Sequence, residues 1–316
     1  MLGIFGANGF IGRKVVERFA ALGEPVRAIS RSFPDQFIRQ YEGRVEFVLA
    51  DLRDPFSCSS AITGLTQVLQ LVSTSSPGLR NEYVIEDIQN NVIPVVRFLH
   101  DCIQADVHRV IFISSGGTVY GPTPNFPIVE THPLLPVCSH GITKLIIEKY
   151  LYLYKKCSGL NYTTLRVSNV FGPDQVYRKG QGLIPAIIER YKKGFPIQIY
   201  GDGSARRDYI YIDDLVDAIE AVVHNPALES DILNIGSGTS RSVAEVIEAI
   251  EKYLGVSLQR EYLSTRNSDV DVNVLDISRA QSVLGWSPTV SFEAGLATTL
   301  NALLKRDPGQ HTTCAE

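Results

Sequence analysis

Seven residues near the start of the chain, GANGFIG, place glycines at 6, 9 and 12. They follow the apolar run LGIF directly and open a stretch of helical periodicity. A strand that turns into a helix through such a run leaves few options for the fold. Gly6 permits the tight turn, Gly9 lets a pyrophosphate come close to the backbone, and Gly12 lets the helix press against the sheet. The free amides of the first helical turn and the helix dipole then favour an anion. In this setting Gly6, Asn8, Gly9, Phe10, Ile11 and Gly12 are expected to bind a dinucleotide. The alternative is a glycine-rich turn with no ligand.

The rest of the chain agrees with that unit. LGIF, PVRAI, VEFVLA, QVLQLV, RVIFIS and YTTLRV are short β-branched runs that read as buried strands. Amphipathic helical patterns lie between several of them, over Gly9–Leu22, Glu82–Gln104 and Cys138–Cys157. Strands alternating with helices predict a parallel sheet covered on both faces, joined by right-handed crossovers. After about Val170 the pattern loosens into a glycine- and charge-rich loop. A helix over Leu183–Lys193 follows, then a strand–turn–strand segment within IQIYGDGSARRDYIYIDDL. A strand in DILNIGSG, a helix over Val243–Leu254, a strand over Leu258–Leu263 and two more helices complete the chain. The expected fold class is α/β: a Rossmann doubly wound parallel sheet with a smaller, sequence-interleaved α/β substrate lobe. The first is assigned to 1–170 plus about 208–240, the second to 171–207 and 241–306, and 307–316 to a frayed tail.

The bulk numbers remove several classes of function. The chain has 316 residues, 44% of them hydrophobic, enough for a full core. A formal net charge of −4 gives no electrostatic footprint for nucleic acid or an anionic membrane. No basic leader with an apolar run is visible, and no apolar stretch is long enough to span a bilayer. The five cysteines are scattered, with no C-x-x-C, and read as reduced packing thiols. The histidines do not cluster either, so no metal is expected. A cytoplasmic protein is the expectation.

The end of the second strand bears on the choice of dinucleotide. An acid there hydrogen-bonds the adenosine ribose of NAD, whereas an arginine pairs with the 2′-phosphate of NADP. The run is VRAISRS, with Ser30 in the slot of the acid and Arg31 after it, which leans towards NADP. Arg31 could instead stack on the adenine or face solvent. Asp51, followed by Leu52, is placed to meet the adenine amino group, or to cap the following turn.

With ISSGGTVYG, HGITK, RVSNVFGP, GDGSARRDYIYIDDL and LNIGSG added in order, the chain resembles the extended short-chain dehydrogenase/reductases. More narrowly it looks like the NAD-dependent nucleotide-sugar epimerase/dehydratases, close to UDP-glucose 4-epimerase. The resemblance runs from Leu2 to about Lys305. It implies NAD as cofactor, a homodimer built on the helices Glu82–Gln104 and Cys138–Cys157, and a role such as surface polysaccharide synthesis. In that family a Tyr and a Lys lie four residues apart on one helix face. The Lys holds the nicotinamide ribose and lowers the Tyr pKa. The Tyr takes the proton of a sugar hydroxyl. Lys144 matches; His140 stands where the Tyr belongs. The family's Ser or Thr after the fifth strand falls at Gly116 or Thr118, beside Ser115. Leu71, Val72 and Ser73 pass under the cofactor, with Gln70 in place of a histidine.

Imidazole accepts and returns a proton near neutrality, which is what the step needs. A Lys144 ammonium nearby keeps the ring neutral and basic. Against this, an imidazole reaches less far from the backbone than a phenol. Three roles stay open: His140 as the acid–base group, Thr118 or another group as the proton carrier, or a protein that binds without turnover.

Carried over in the same way, Asn169 and Leu183 approach the nucleotide diphosphate, Gln198 and Tyr200 line the base, and Arg207 clamps phosphate. In RNSD, Arg266 binds phosphate and Asp269 the ribose, although the family's proline and glycine between them are replaced. The alternative for these arginines is ordinary surface ion pairing. The expected activity is 4-epimerisation of a nucleotide sugar, with a UDP-sugar as the expected substrate, through a bound NAD or NADP that is regenerated each turnover. The alternatives are an NADPH-dependent 4-keto-sugar reductase and an impaired nucleotide-sugar-binding homologue. A dehydratase is disfavoured because its acidic pair is replaced by Gly116–Gly117.

Overall fold

The computed structural model describes residues 1–75, 81, 83–177, 182–265 and 270–306. Its centre is a seven-stranded, all-parallel sheet. The first six strands in the chain are β1 (Leu2–Phe5), β2 (Val26–Ser30), β3 (Val45–Leu49), β4 (Gln67–Gln70), β5 (Arg109–Ser115) and β6 (Asn161–Val167). The seventh is Asp231–Ile235. Across the sheet the order is β3, β2, β1, β4, β5, β6 and then Asp231–Ile235. Strand order reverses between β1 and β4, and a crevice opens beyond the carboxyl ends of the strands at such a switch point.

Both faces of the sheet are covered. Phe10–Leu22 and Ile212–Val223 help form one apolar core with Ile4, Ala28, Ile111 and Leu165. Pro55–Ile62, Ile93–Gln104 and Ser139–Ser158 form the other with Phe5, Ile29, Val68, Val110 and Phe112. This explains why the strands read as continuous apolar runs. Burying each large aliphatic or aromatic side chain of these cores is worth roughly 1.5–3 kcal/mol. Arg109 fits the same logic despite its charge. It is buried, and its guanidinium donates to the carbonyls of Val222, Asn225 and Leu228, stitching the start of β5 to the end of a covering helix.

Two sequence expectations need correcting. The helix expected over Glu82–Gln104 is Val84–Asp87, a π-helical turn Ile88–Val92, and Ile93–Gln104; Glu82 lies outside the described residues. Ile93 N–H reaches back five residues to the Ile88 carbonyl. Pro94 has no N–H for the carbonyl four residues before it, so the regular ladder cannot run through this point. The strand–turn–strand segment is also different, because its strands do not pair with each other. Ile197–Tyr200 pairs with Arg260–Leu263, Arg206–Arg207 lies between Arg241–Ser242 and Val272–Asn273, and Tyr209–Tyr211 pairs with Asn169–Phe171. Among the described residues no helix is long and apolar enough to cross a membrane.

Candidate active site

The dinucleotide half is built where β1 turns into the helix Phe10–Leu22. Gly6 has φ +89°, and the N–H groups of Gly6 and Ala7 both reach the Ile29 carbonyl of β2, at 2.9 and 3.1 Å. Gly9 caps the helix with no side-chain hydrogen bond, and the first turn has no acid. The amides of Phe10, Ile11 and Gly12 therefore lack intrahelical acceptors by geometry. A Cβ on Gly12 would sit 2.3 Å from the Gly6 oxygen and 2.7 Å from Ala7 Cα, so only glycine fits there. A Cβ on Gly9 would meet only the Gly6 oxygen, at 3.2 Å, leaving the space above it open. The residues thus fit a pyrophosphate. Asn8 is held in place by Arg13, whose guanidinium donates to its carbonyl and side-chain oxygens. Leu71 and Val72 back the turn closely: a Cβ on Gly6 would lie 3.2 Å from Leu71 Cβ and 3.3 Å from Val72 N. Gln70 is buried and donates to the Val72 carbonyl, a packing role.

The residues around the adenosine expectation are less committed to a ligand. The Ser30 carbonyl accepts from Ala50 N–H, joining the ends of β2 and β3. Arg31 is exposed and has no hydrogen bond or ion pair among the described residues. Asp51 takes the turn role: it accepts from Arg53 N–H at 2.9 Å and from the Arg53 guanidinium at 2.7 Å. Arg53 holds its carboxyl below the usual range, and the Arg31 charge adds to this. Any adenine contact would have to share that carboxylate. Leu52 is buried in the core beside it.

The catalytic half sits at the start of the helix Ser139–Ser158. Gly141 decides its position, because a Cβ there would be 2.7 Å from the Thr118 carbonyl and 2.9 Å from Pro136 Cβ. The first turn can therefore press on the Gly116–Thr118 turn after β5. Asn81 accepts from Ser139 N–H at 2.8 Å and supplies the start of the helix with a side-chain acceptor. One turn apart on this helix, His140 and Lys144 are both buried. Lys144 donates to the Ile113 carbonyl at 2.8 Å and lies 4.9 Å from the Phe112 ring centre. Burial pulls its pKa down to about 8, with Glu148 opposing. His140 Nδ1 shares a hydrogen bond of 2.7 Å with Ser75 Oγ. Burial first, and then the Lys144 charge, lowers its pKa to about 3, while a hydrogen bond to the Ser75 main chain pulls the other way. The ring is neutral at physiological pH.

The geometry separates the two candidates for the hydroxyl position. A Cβ on Gly116 would lie 2.6 Å from Leu275 Cδ1 and 2.9 Å from the Arg166 carbonyl, so no side chain fits there. Thr118 Oγ1 is buried and has no hydrogen-bond partner among the described residues. An orphaned buried hydroxyl calls for a partner. Ser115 accepts through its carbonyl from Thr118 and Val119 N–H and so forms the turn. Gly117 is open, with only Asn169 Oδ1 near its would-be Cβ, at 3.8 Å. Asn169 thus faces the same cleft.

On the sugar side, Leu183 begins the helix Leu183–Lys192 after Gly182, with no side-chain cap and no acid in its first turn. Gln198 donates to Glu261 across the strand pair, and Tyr200 at the strand end is partly exposed. Arg207 donates to the Arg206 carbonyl and has no carboxylate within ion-pair distance among the described residues. Its neighbours differ: Arg206 pairs with Glu245 and Arg241 with Glu293. Adjacent Asp208 is buried and accepts instead from the N–H and hydroxyl of Ser237. Arg266 and Asp269 lie outside the described residues.

Sequence reasoning missed two elements. Ser75 was visible only as part of a Ser/Thr-rich run. Glu148, one turn beyond Lys144, forms a fully buried pair with Arg166 at 2.7 Å, joined by the hydroxyls of Ser114 and Tyr120. The signal was an arginine inside the buried strand YTTLRV.

A crevice of this kind, with a glycine cradle beside a buried His–Lys helix face, is that of a dinucleotide-dependent enzyme. The chain belongs to the NAD dependent epimerase/dehydratase family, whose model matches residues 2–236. Over its length it is similar to a putative UDP-glucose 4-epimerase of Methanocaldococcus jannaschii, at 30% identity covering 95% of this chain and 97% of that one. It is 31% identical to a dTDP-4-dehydro-6-deoxyglucose reductase of Escherichia coli, covering 95% and 96%. The structure of the Thermus thermophilus UDP-glucose 4-epimerase in complex with NAD superposes with a TM-score of 0.88, at 28% identity, covering 96% of this chain and 99% of that one. The family description makes NAD the expected cofactor, and the lean towards NADP taken from Arg31 gains no support from it.

Proposed function

We propose that this chain is a nucleotide-sugar 4-epimerase, with UDP-sugars as the substrate class, and that His140 does the work of the family's tyrosine. The observation that carries this is the buried pair His140 and Lys144, one turn apart beside the orphaned Thr118 hydroxyl. A bound NAD supplies a reversible hydride acceptor for the sugar C4. His140, with Nδ1 committed to Ser75, has Nε2 left to take the proton of the C4 hydroxyl and to return it. A neutral imidazole can take a proton at one ring nitrogen while releasing one at the other, so it need not carry a net positive charge in either direction. Thr118 supplies a hydrogen bond to the same hydroxyl. Lys144 supports the ribose, and burial of the ring, with the Lys144 charge adding to it, keeps His140 unprotonated.

Arg207, free of carboxylate partners among the described residues, serves the diphosphate with Asn169 and the amides at Leu183. Arg266 and Asp269 are proposed for phosphate and ribose, and Gln198 and Tyr200 for the base. In this scheme 171–207 and 241–306 form the substrate lobe, and 1–170 with about 208–240 the dinucleotide domain. A homodimer through the two long helices is part of the same proposal. A groove of about 370 Å³ between them is lined by Val92, Ile93, Val96, His100, Tyr150 and Tyr154.

The relative described as a reductase keeps a second activity in view, reduction of a 4-keto nucleotide sugar. The two separate in one experiment. Purified protein is incubated with UDP-glucose, UDP-galactose and their uronic acid and N-acetylated counterparts, with no added cofactor, and C4 configuration is followed by NMR. An epimerase converts one sugar catalytically and releases stoichiometric NAD on denaturation. Conversion that requires added NADPH and a 4-keto sugar would overturn the proposal in favour of the reductase.

A further inference from the structure

Ser75 Oγ lies 2.7 Å from His140 Nδ1 and 3.2 Å from Ser73 Oγ. Ser75 and His140 are both buried, and Ser73 is half-buried. The loop that presents the two serines is pinned from behind. Thr74 N–H and hydroxyl both donate to Asn91 Oδ1, at 2.7 and 3.2 Å. Asn91 sits in the π-helical turn and donates in its turn to the Asp87 carbonyl. The interruption of the helix thus serves the loop that faces the catalytic ring.

We infer that Ser75 positions His140, and that Ser75 and Ser73 form a hydroxyl path along which the substrate proton leaves the ring and comes back. This rests on the epimerase proposal and deepens it. The chemical reason is the place of His140. A buried ring one turn from an ammonium is a poor place to store a positive charge. A proton taken at Nε2 has to be matched by one released at Nδ1.

The atoms balance as follows. In the starting tautomer Nδ1–H donates to Ser75, Ser75 donates to Ser73, and Nε2 bears the lone pair. The C4 hydroxyl proton moves to Nε2 as C4 is oxidised, the hydride acceptor being the NAD that the Gly6–Gly12 cradle would hold. The Nδ1 proton moves to Ser75 Oγ, the Ser75 proton to Ser73 Oγ, and the Ser73 proton to a solvent water. The ring ends as the other neutral tautomer, now accepting from Ser75. When C4 is reduced again, the proton would retrace the same hydroxyl path from Ser73 through Ser75 and His140 to the sugar oxygen. A tyrosine would have needed no such path, since its anion is stabilised by the adjacent lysine charge. The serines thus match the histidine.

The test uses full-length protein with its bound cofactor. Nitrogen-15 NMR of labelled histidine reads the ring in wild type, Ser75→Ala, Ser75→Thr and Ser73→Ala. Ser75→Ala is expected to move the Nδ1 signal of His140 and to lower kcat about tenfold to a hundredfold, by analogy with partners that orient metal-bound histidines. KM and the amount of bound dinucleotide should stay unchanged. Ser75→Thr keeps the hydroxyl and should recover most of kcat. Ser73→Ala leaves the ring oriented but cuts the path, so kcat falls and its solvent isotope effect rises. An unchanged Nδ1 signal in Ser75→Ala would overturn the positioning role, and wild-type kcat in Ser73→Ala would overturn the path. If the wild type turns over no UDP-sugar, the epimerase proposal fails, and the NMR arm still decides the Ser75–His140 pairing.

Discussion

Lys144 and Glu148 stand one turn apart on a buried helix face, and each is tied to a different strand. Lys144 donates to the Ile113 carbonyl of β5, while Glu148 takes the guanidinium of Arg166 on β6. The helix is therefore locked to the sheet by polar bonds at the level of the catalytic residues as well as by the packing of Ile147 and Leu151. This fixes where His140 meets the cleft.

Removing one side of the buried ion pair leaves the other charge uncompensated. Glu148→Ala should destabilise the protein by about 3–5 kcal/mol in urea unfolding. The double replacement Glu148→Leu with Arg166→Met should cost far less than the sum of the two single changes.

The pH dependence of stability has a defined sign at His140. Its pKa is about 3 in the folded protein against 6.5 when unperturbed. The unfolded chain takes up a proton as pH falls below 6.5 and the folded chain does not until about 3. Stability is therefore lost progressively across that window, at a slope of up to one proton. Comparing unfolding midpoints from pH 7.5 down, wild type should lose stability more steeply than His140→Gln across this window. Parallel curves would contradict the burial of a neutral ring.

Gly12 has backbone on its open side, with a would-be Cβ 2.3 Å from the Gly6 oxygen. Gly12→Ala should push the helix away from the cradle. The expected result is dinucleotide well below stoichiometric amounts after denaturation, with the remaining fold intact by circular dichroism.

Arg207 should act on substrate affinity more than on the chemical step. Arg207→Met is expected to raise KM for a UDP-sugar about tenfold to a hundredfold, the scale of a lost hydrogen bond to a charged group, with a smaller change in kcat. An unchanged KM would remove it from the diphosphate site.

Much of this architecture was legible because its signals are local. The β-branched runs of the first six strands are continuous, and GANGFIG marks the turn that starts the crevice. His140 and Lys144 are paired through the family resemblance, and their spacing of four residues on a helix puts them on one face. What was hidden depends on contacts far apart in the chain. Ser75 meets His140 across sixty-five positions, and nothing in a run of serines says which one turns inward. The π-helical turn holds Asn91, whose bond to Thr74 reaches back seventeen positions to the loop at Ser75. Gly116 and Thr118 looked equivalent as hydroxyl slots until Leu275, from the far end of the chain, filled the space over Gly116. The strands around Arg207 draw partners from 241–242 and 272–273, which no local pattern announces.

The decisive measurement is the C4 epimerisation rate of His140→Gln against wild type, on whichever UDP-sugar the wild type converts, with bound NAD quantified in both. With NAD retained, the rate should fall about a hundredfold to ten-thousandfold, the range for loss of a general acid–base group. A His140→Gln enzyme that holds NAD and epimerises at the wild-type rate would show that the proton travels by another group and that the histidine is not the replacement for the tyrosine.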